Sequence, residues 1–390
     1  MNILYFTWIS LEPAEKTGAG VHKKIYAQVN ALNKGGGNLF LVFKVTQKHY
    51  RIISGNNIID YTDISANKFY RILTSFATEN NIKVAYLRND NLTDVIALAS
   101  SLRKAGLKVV LEIPTFPFIG ESLNTKHGLV KSISLVKYGV LTRILGKKLN
   151  RIVTYSNDKK IWGVPTINIS NGIDPDSIPL TRKKSSNIFR ITTVSNPAFW
   201  HGYDRLIKGC KEYVENGYFE KQPILITMVG GREDNQEYLR LKTMVAEYKL
   251  ENIIQFTGQI YGKELDEVFD NTDICVGSLG RHRSGNTDMK ALKNVEFAMR
   301  GLPFCYSENN SDFDNASYVY KFPPNDSPID LFKLYNFYQN LTFKPKEIRE
   351  SVRHLSWSIQ MQKVLDEIEN MEHNSSNPSR KQGCRNASEI

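Results

Sequence analysis

Apolar and polar positions follow two rhythms along this chain. Residues 2–8, Leu39–Val45, Val84–Leu87, Val109–Ile113, Ile152–Tyr155 and Thr166–Ile169 are short apolar runs that read as strands. Between them, residues 21–34 place Val21, Ile25, Val29 and Leu32 on one face at helical spacing, and 91–105 is again helical. Strands that alternate with helices predict a parallel sheet covered by helices on both faces. The rhythm restarts at Phe189–Val194. A helix at 203–215, a strand Ile224–Val229 ending in Gly230-Gly231, a helix at 235–248, a strand at 253–257, a helix at 263–270 and a strand at 273–276 follow. The expected fold class is therefore α/β, with two doubly wound domains facing across a cleft. Ligands of such sheets bind outside the strand carboxyl ends, near the point where strand order reverses.

The Pro/Ser/Lys-rich stretch 175–187 separates the two halves, and 390 residues exceed what one core usually serves. The expected organisation is a first domain over 1–175 and a second over 188–345. A C-terminal helix over 346–371 is expected to pack back towards the first domain, with a polar, patternless tail over 372–390 expected to be disordered.

Composition narrows the function classes. With 41% hydrophobic and 23% charged residues the chain is neither mostly disordered nor collagen-like. No run approaches 18 consecutive apolar residues, and MNILYFTWIS lacks a basic leader, so a cytoplasmic protein is expected. Cys210, Cys275, Cys305 and Cys384 are scattered, which suggests neither a zinc site nor a disulfide framework. Charge is uneven. Residues 1–175 carry 23 Lys/Arg against 11 Asp/Glu, whereas residues 176–390 carry 28 against 29. A basic front half implies an anionic partner, and charge alone leaves nucleic acid, an anionic membrane and a phosphorylated substrate open. No recognition helix, RNA-binding aromatic motif or zinc module accompanies it, so nucleic acid is not the expected partner.

Two loops carry candidate chemistry. Thr17-Gly18-Ala19-Gly20 lies between the first strand and helix, where Gly18 and Gly20 let backbone N–H groups approach an anion; a plain tight turn is the alternative. The segment Val276–Gly301 is more informative. A Gly/Ser-rich loop bears Arg281, His282 and Arg283, and a helix is expected from near Asp288 with Lys290 and Lys293 in its first two turns. Cations there oppose the helix dipole at about 0.3–1 kcal/mol each, a cost that a bound diphosphate would offset. A solvated basic loop with a Lys293–Glu296–Arg300 ladder is the competing reading.

These segments resemble the retaining glycosyltransferases of family 4, which have the GT-B fold of two Rossmann-like domains. The resemblance rests on TGAGVHKK, EIPTFPF (112–118), ISNGID (169–174), WHGYDRLI (200–207), GSLGRHRSG (277–285) and LKNVEFAMRGLPF (292–304), and spans nearly all of residues 1–370. It is nearest to members that build bacterial capsular, lipopolysaccharide or exopolysaccharide chains. The resemblance implies a nucleoside-diphosphate sugar donor, a saccharide or lipid-linked saccharide acceptor, and retention of anomeric configuration without a metal cofactor. It places the family's acidic pair on Asp288, beside the donor sugar, and Glu296, on the ribose hydroxyls. Asn171 and Gly172 would line the cleft, and backbone groups near Gly230 and Thr257-Gly258 would meet the base. Many members hold the diphosphate with Arg and Lys after the first strand of the second domain, where this chain has Asn196 and His201. Arg283 and Lys293, then Arg281, are the expected replacements. Where members carry a histidine near the reacting sugar, this chain has Glu112, which either orients a sugar or pairs structurally with a neighbouring amide.

Stabilising the leaving diphosphate is the central demand of this reaction, and one well-placed donor supplies about 3–4 kcal/mol. Asp174-Pro175-Asp176 and Asp312-Phe313-Asp314 match D-x-D but lie in unsuitable loops, so no metal site is expected. Residues 128–151 place Leu129, Ile133, Val136, Val140 and Ile144 on one helical face among Lys137, Arg143, Lys147, Lys148 and Arg151. That face suits either an anionic membrane surface or packing on the chain's own sheet. A non-catalytic accessory subunit of a glycosyltransferase pair is the alternative function.

Overall fold

The computed structural model describes residues 1–12, 19–34, 37–88, 92–116, 128–182 and 186–376. They form two compact units, one holding 1–115, 127–169 and the chain from 357 onward, the other holding 170–356.

In the first unit, β1 (Ile3–Thr7), α1 (Ala19–Asn33) and β2 (Leu39–Thr46) lead into an antiparallel hairpin of β3 (His49–Ser54) and β4 (Asn57–Tyr61). Then come α2 (Ala66–Glu79), β5 (Val84–Arg88), α3 (Leu92–Lys104), β6 (Lys108–Ile113) and α4 (Gly128–Gly146). β7 (Arg151–Thr154), β8 (Lys160–Ile161) and β9 (Val164–Asn168) complete the sheet, ordered β4-β3-β2-β1-β5-β6-β7-β9-β8. β1 and β5 are buried at every position, as parallel strands covered on both faces must be. The 49–61 hairpin was not expected from the sequence; its two-residue turn is set by Gly55 at φ +58°.

The second unit comprises β10 (Phe189–Val194), α5 (Tyr203–Glu215), β11 (Ile224–Val229), α6 (Gln236–Glu247), β12 (Ile254–Gly258), α7 (Gly262–Asp270) and β13 (Ile274–Val276). α8 (Leu292–Met299), β14 (Phe304–Tyr306), β15 (Val319–Lys321), α9 (Leu331–Gln339) and α10 (Pro345–Ser351) follow. All strand pairs are parallel in the order β12-β11-β10-β13-β14-β15, which is the 3-2-1-4-5-6 order of a dinucleotide-binding sheet. Alternation sorts the core between the two faces. Ile274, Val276 and Cys305 join one cluster, whereas Cys275, Phe304 and Tyr306 join the other.

The C-terminal region differs from the single helix expected over 346–371. α10 stops at Ser351, a 3₁₀ turn spans Arg353–Leu355, and α11 (Trp357–Ser376) is a separate helix. α11 belongs to the first unit and packs on α1, with Trp357, Met361, Val364 and Ile368 in that unit's core. The tail expected over 372–390 begins inside this helix, and its residues from 377 lie outside the described ones.

Of the two readings open for residues 128–151, α4 turns the described part of the stripe, Val136, Val140 and Ile144, to solvent, while Thr142 and Leu145 are buried; the side chains of Leu129 and Ile133 lie outside the described residues. The helix packs on α3 through the opposite face.

Candidate functional site

In the second unit the strand order reverses between β10 and β13, and three loops meet at the carboxyl ends there. The loop after β10 touches the one after β13 through two glycines. A side chain at Gly202 (φ +65°) would come within 2.6 Å of Gly280 N, and Leu279 N donates to His201 O at 2.8 Å. The loop after β14 joins them, with Ser307 N donating to Ser278 O at 2.9 Å and Asn309 N to Thr287 O at 2.7 Å.

This pairing changes the expected helix start. Asp288 lies in an extended bridge with Asn309, so α8 begins at Leu292 and Lys290 precedes it. Lys290 Nζ instead sits 3.2 Å from Ser170 Oγ and 3.3 Å from Asp312 Oδ1. Asp288 is exposed at the rim.

Three of the expected residues converge. Lys293 Nζ donates to Tyr203 Oη at 3.2 Å and lies 5.6 Å from that ring's centre. Arg281 lies over Trp200 at 5.9 Å. His201 stacks on Tyr203 and is buried. Its Nδ1 accepts Ala198 N–H at 3.1 Å, which leaves Nε2 to carry the proton of the neutral ring. Burial, then Lys293 and Arg281, hold the imidazole well below its ordinary pKa, so it is a neutral donor at pH 7.

Arg283 is placed differently. Its guanidinium bonds Asp204 in a fork at 2.7 and 3.0 Å, donates Nε to Asp326 Oδ1 at 2.7 Å, and also reaches Phe199 O at 3.1 Å. His282 Nε2 shares Asp326 at 3.1 Å. Burial alone would raise the Asp204 carboxyl, but Arg283, Arg240 and Lys208 hold it below its ordinary value. Arg283 is thus a brace between the loop and the first turn of α5.

Buried side-chain atoms without a partner among the described residues gather on the same loops and the first turn of α8: Ser278 Oγ, Asn286 Nδ2, Asn294 Oδ1, Ser307 Oγ, Glu308 Oε2 and Asn310 Nδ2. Leaving such a group unpaired costs about 1–3 kcal/mol, so these loops present polar groups in demand of partners. Burial pushes the Glu308 carboxyl up to about 7, with Arg281 and Lys293 opposing. By contrast, a cavity of about 680 Å³ opens at the amino end of the sheet, where the carboxylate of Asp273 is taken by Tyr338 and Arg190 N.

The remaining candidates are spread around these loops. Glu296 bonds the buried Arg300 at 3.1 Å. Asn196 Oδ1 accepts from Asn235 at 2.9 Å, and Gly230 (φ +103°) is where a side chain would strike Ser195 O. Thr257 is the exposed extra residue where β11–β12 register shifts. Asn171 Nδ2 donates to Lys290 O at 2.5 Å. The acids of 312–314 are paired within the chain: Asp312 faces Lys290, and the exposed Asp314 accepts from Tyr306 at 2.8 Å with Lys321 at 3.2 Å. Among the described residues no group of three or more metal-ligating side chains assembles.

In the first unit, Glu112 ends β6 fully buried. Its oxygens accept from Tyr86 at 2.7 Å, Tyr155 at 2.9 Å, Gln28 at 3.0 Å and Arg88 at 3.1 Å, with Lys24 at 3.6 Å. That shell is a structural one, and the tyrosines, Arg88 and Lys24 had no sequence pattern linking them. Burial lowers the Lys24 ammonium to about 7, against the opposing pull of Glu112. Gly18 lies outside the described residues; Gly20, in the first turn of α1, is exposed, and among the described residues no atom lies within 4 Å of a side chain there.

Sequence reasoning missed Arg205. It is buried and donates to Ser327 O at 2.7 Å, Pro323 O at 3.1 Å and Leu279 O, tying the loop after β13 to the segment before α9. Its position in the motif WHGYDRLI was the available signal.

Residues 181–284 match the family model described as Glycosyl transferases group 1. No curated protein sequence matches the chain. Among solved structures, sucrose-phosphate synthase from Thermosynechococcus elongatus aligns over 96% of this chain and 100% of its own, at 13% identity and TM-score 0.67. The α,α-trehalose-phosphate synthase from Burkholderia xenovorans, in complex with glucose-6-phosphate, aligns over 95% and 100% at 10% identity and TM-score 0.64. Anabaena HepE in complex with UDP aligns over 97% and 100% at 14% identity and TM-score 0.59. The chain thus carries a glycosyl transferases group 1 segment and has the GT-B fold of two Rossmann-like units.

Proposed function

We propose that this protein is a retaining glycosyltransferase of the family 4 type, which moves a sugar from a nucleoside-diphosphate sugar to a glycan acceptor. The observation that carries this reading is the meeting of Lys293, Arg281, neutral His201 and a set of unpartnered buried polar atoms at the switch point of a 3-2-1-4-5-6 sheet. A diphosphate there would accept from Lys293, from the Arg281 fork and from His201 Nε2–H. Glu296 would take the ribose hydroxyls, with Asp288 at the sugar end. Arg283 positions the loop rather than touching the donor. Charge that develops on the departing diphosphate would meet fixed cations, and the diphosphate itself would take the acceptor hydroxyl's proton.

HepE binds UDP and UDP-glucose, which makes uridine the first base to test. A lipid-linked acceptor of surface-polysaccharide synthesis fits the exposed face of α4, where Val136 is 68%, Val140 54% and Ile144 42% exposed beside Arg143 and Lys147. An anionic membrane would attract each such basic side chain by about 1 kcal/mol. Among the described residues no helix is long and apolar enough to cross a membrane.

A thermal-shift screen against UDP, GDP, ADP and CMP, with and without Mg²⁺, tests the donor site. A ligand at 100 times its dissociation constant adds about 2.7 kcal/mol of stability. The reading predicts a shift with one diphosphate that does not require Mg²⁺. No shift with any nucleotide would favour the accessory-subunit alternative.

A further inference from the structure

Glu308 lies two residues beyond the end of β14, and its side chain is almost wholly buried at the meeting point of the three loops. One oxygen, Oε1, accepts from Asn294 Nδ2 at 3.2 Å, and Oε2 has no partner among the described residues. Asn294 is the neighbour of Lys293 on α8. No cation of the described residues reaches ion-pair distance of this carboxylate, so its charge is supported by the fields of Arg281, on the 3₁₀ turn after β13, and of Lys293, and to a lesser extent by hydrogen bonds from Asn294 and its own backbone N–H. The other titratable groups facing it are Cys305 and Tyr306 on β14, both pushed up by burial and therefore neutral near pH 8. Arg205, which acts on Cys305, is held by backbone carbonyls.

Resting on the reading that a diphosphate binds beside Lys293 and Arg281, we infer that Glu308 is the internal counter-anion of these two cations and takes up a proton when the diphosphate binds. The bound anion adds a like charge that opposes the field of the two cations at Glu308. That favours the neutral acid. Binding and protonation are then linked, so affinity falls with rising pH wherever the empty site's Glu308 is ionised. At one proton per ligand the fall is about tenfold per pH unit. The terminal phosphate of a nucleotide, which titrates near ~6, contributes the opposite sign, and only at lower pH.

The test is calorimetric titration of UDP and of GDP into the full chain between pH 7.5 and 8.5, each in two buffers of different ionisation enthalpy. The wild type should take up close to one proton at pH 8.5 and lose up to about tenfold in affinity across the range. Glu308→Gln, which retains a side-chain oxygen for Asn294, should exchange almost none, show a flat profile and bind more tightly than the wild type at pH 8.5. Binding with no proton uptake, or with the same uptake in both proteins, overturns the role of Glu308 and leaves the donor site standing. Binding of neither nucleotide at any pH overturns the donor site and this inference together.

Discussion

Arg283 and Lys293 look alike in the sequence, as two cations of one basic segment, yet the fold gives them different work. Arg283 is spent on Asp204, 79 positions away, and no local pattern announces that partner. Arg283→Ala should therefore lower the urea midpoint by the equivalent of about 2–3 kcal/mol, since it leaves the poorly exposed Asp204 without its fork. Lys293→Ala removes an amine whose contacts among the described residues are a tyrosine hydroxyl and ring, so it should leave that midpoint nearly unchanged and weaken nucleotide binding. His201 adds a pH signature. Its folded pKa lies below 6.5, so the unfolded chain binds more protons as the pH drops under that value. Its contribution to stability is present above pH 6.5 and is lost as the pH falls towards the folded value. Denaturant midpoints of the wild type should decline over that range more steeply than those of His201→Asn; equal slopes would contradict the burial argument. Glu308, by contrast, was illegible beforehand: one carboxylate in a loop has no period, and burial creates its properties.

At the scale of elements, the alternation of strands and helices was readable because parallel strands are largely continuous apolar runs, as in β1, β2 and β5. Residues 49–61 escaped because β4 is exposed at nearly every position and carries no apolar run. The start of α8 was misjudged because Thr287 O and Met289 N, on either side of Asp288, pair with the backbone of Asn309, a contact set by the neighbouring loop. The glycine pair 202/280 is a checkable consequence of that loop packing. Gly202→Ala must both strain a left-handed backbone and push Gly280 away, so it should reduce stability by at least about 1 kcal/mol and impair nucleotide binding as well. For α4 the periodicity was correct and its direction was not legible, since a regular stripe fits a core or a partner equally well. Val136→Asp with Val140→Asp should leave the melting temperature almost unchanged while abolishing flotation with phosphatidylglycerol vesicles. Leu145→Asp, on the buried face, should unfold the first unit. Equal flotation of the double variant and the wild type would remove α4 as a membrane surface.

For the molecule as a whole, the sheet order of the second unit decides where chemistry is possible. It brings the ends of β10, β13 and β14 together, and with them His201, Arg281, Lys293 and the unpartnered polar atoms, from segments that lie up to a hundred residues apart. The sequence supplied the two-unit plan and the basic loop, because both are local patterns. It could not supply that Arg283 is spent on Asp204, because that depends on a carboxylate brought in by the fold. The most direct measurement is a calorimetric titration of UDP and GDP at pH 7 into the wild type and Lys293→Ala. The account predicts saturable binding of one nucleotide by the wild type, weakened at least about tenfold in the variant, the equivalent of about 1.4 kcal/mol. Binding of equal strength in both proteins, or none in the wild type, would contradict a donor site at the carboxyl end of this sheet.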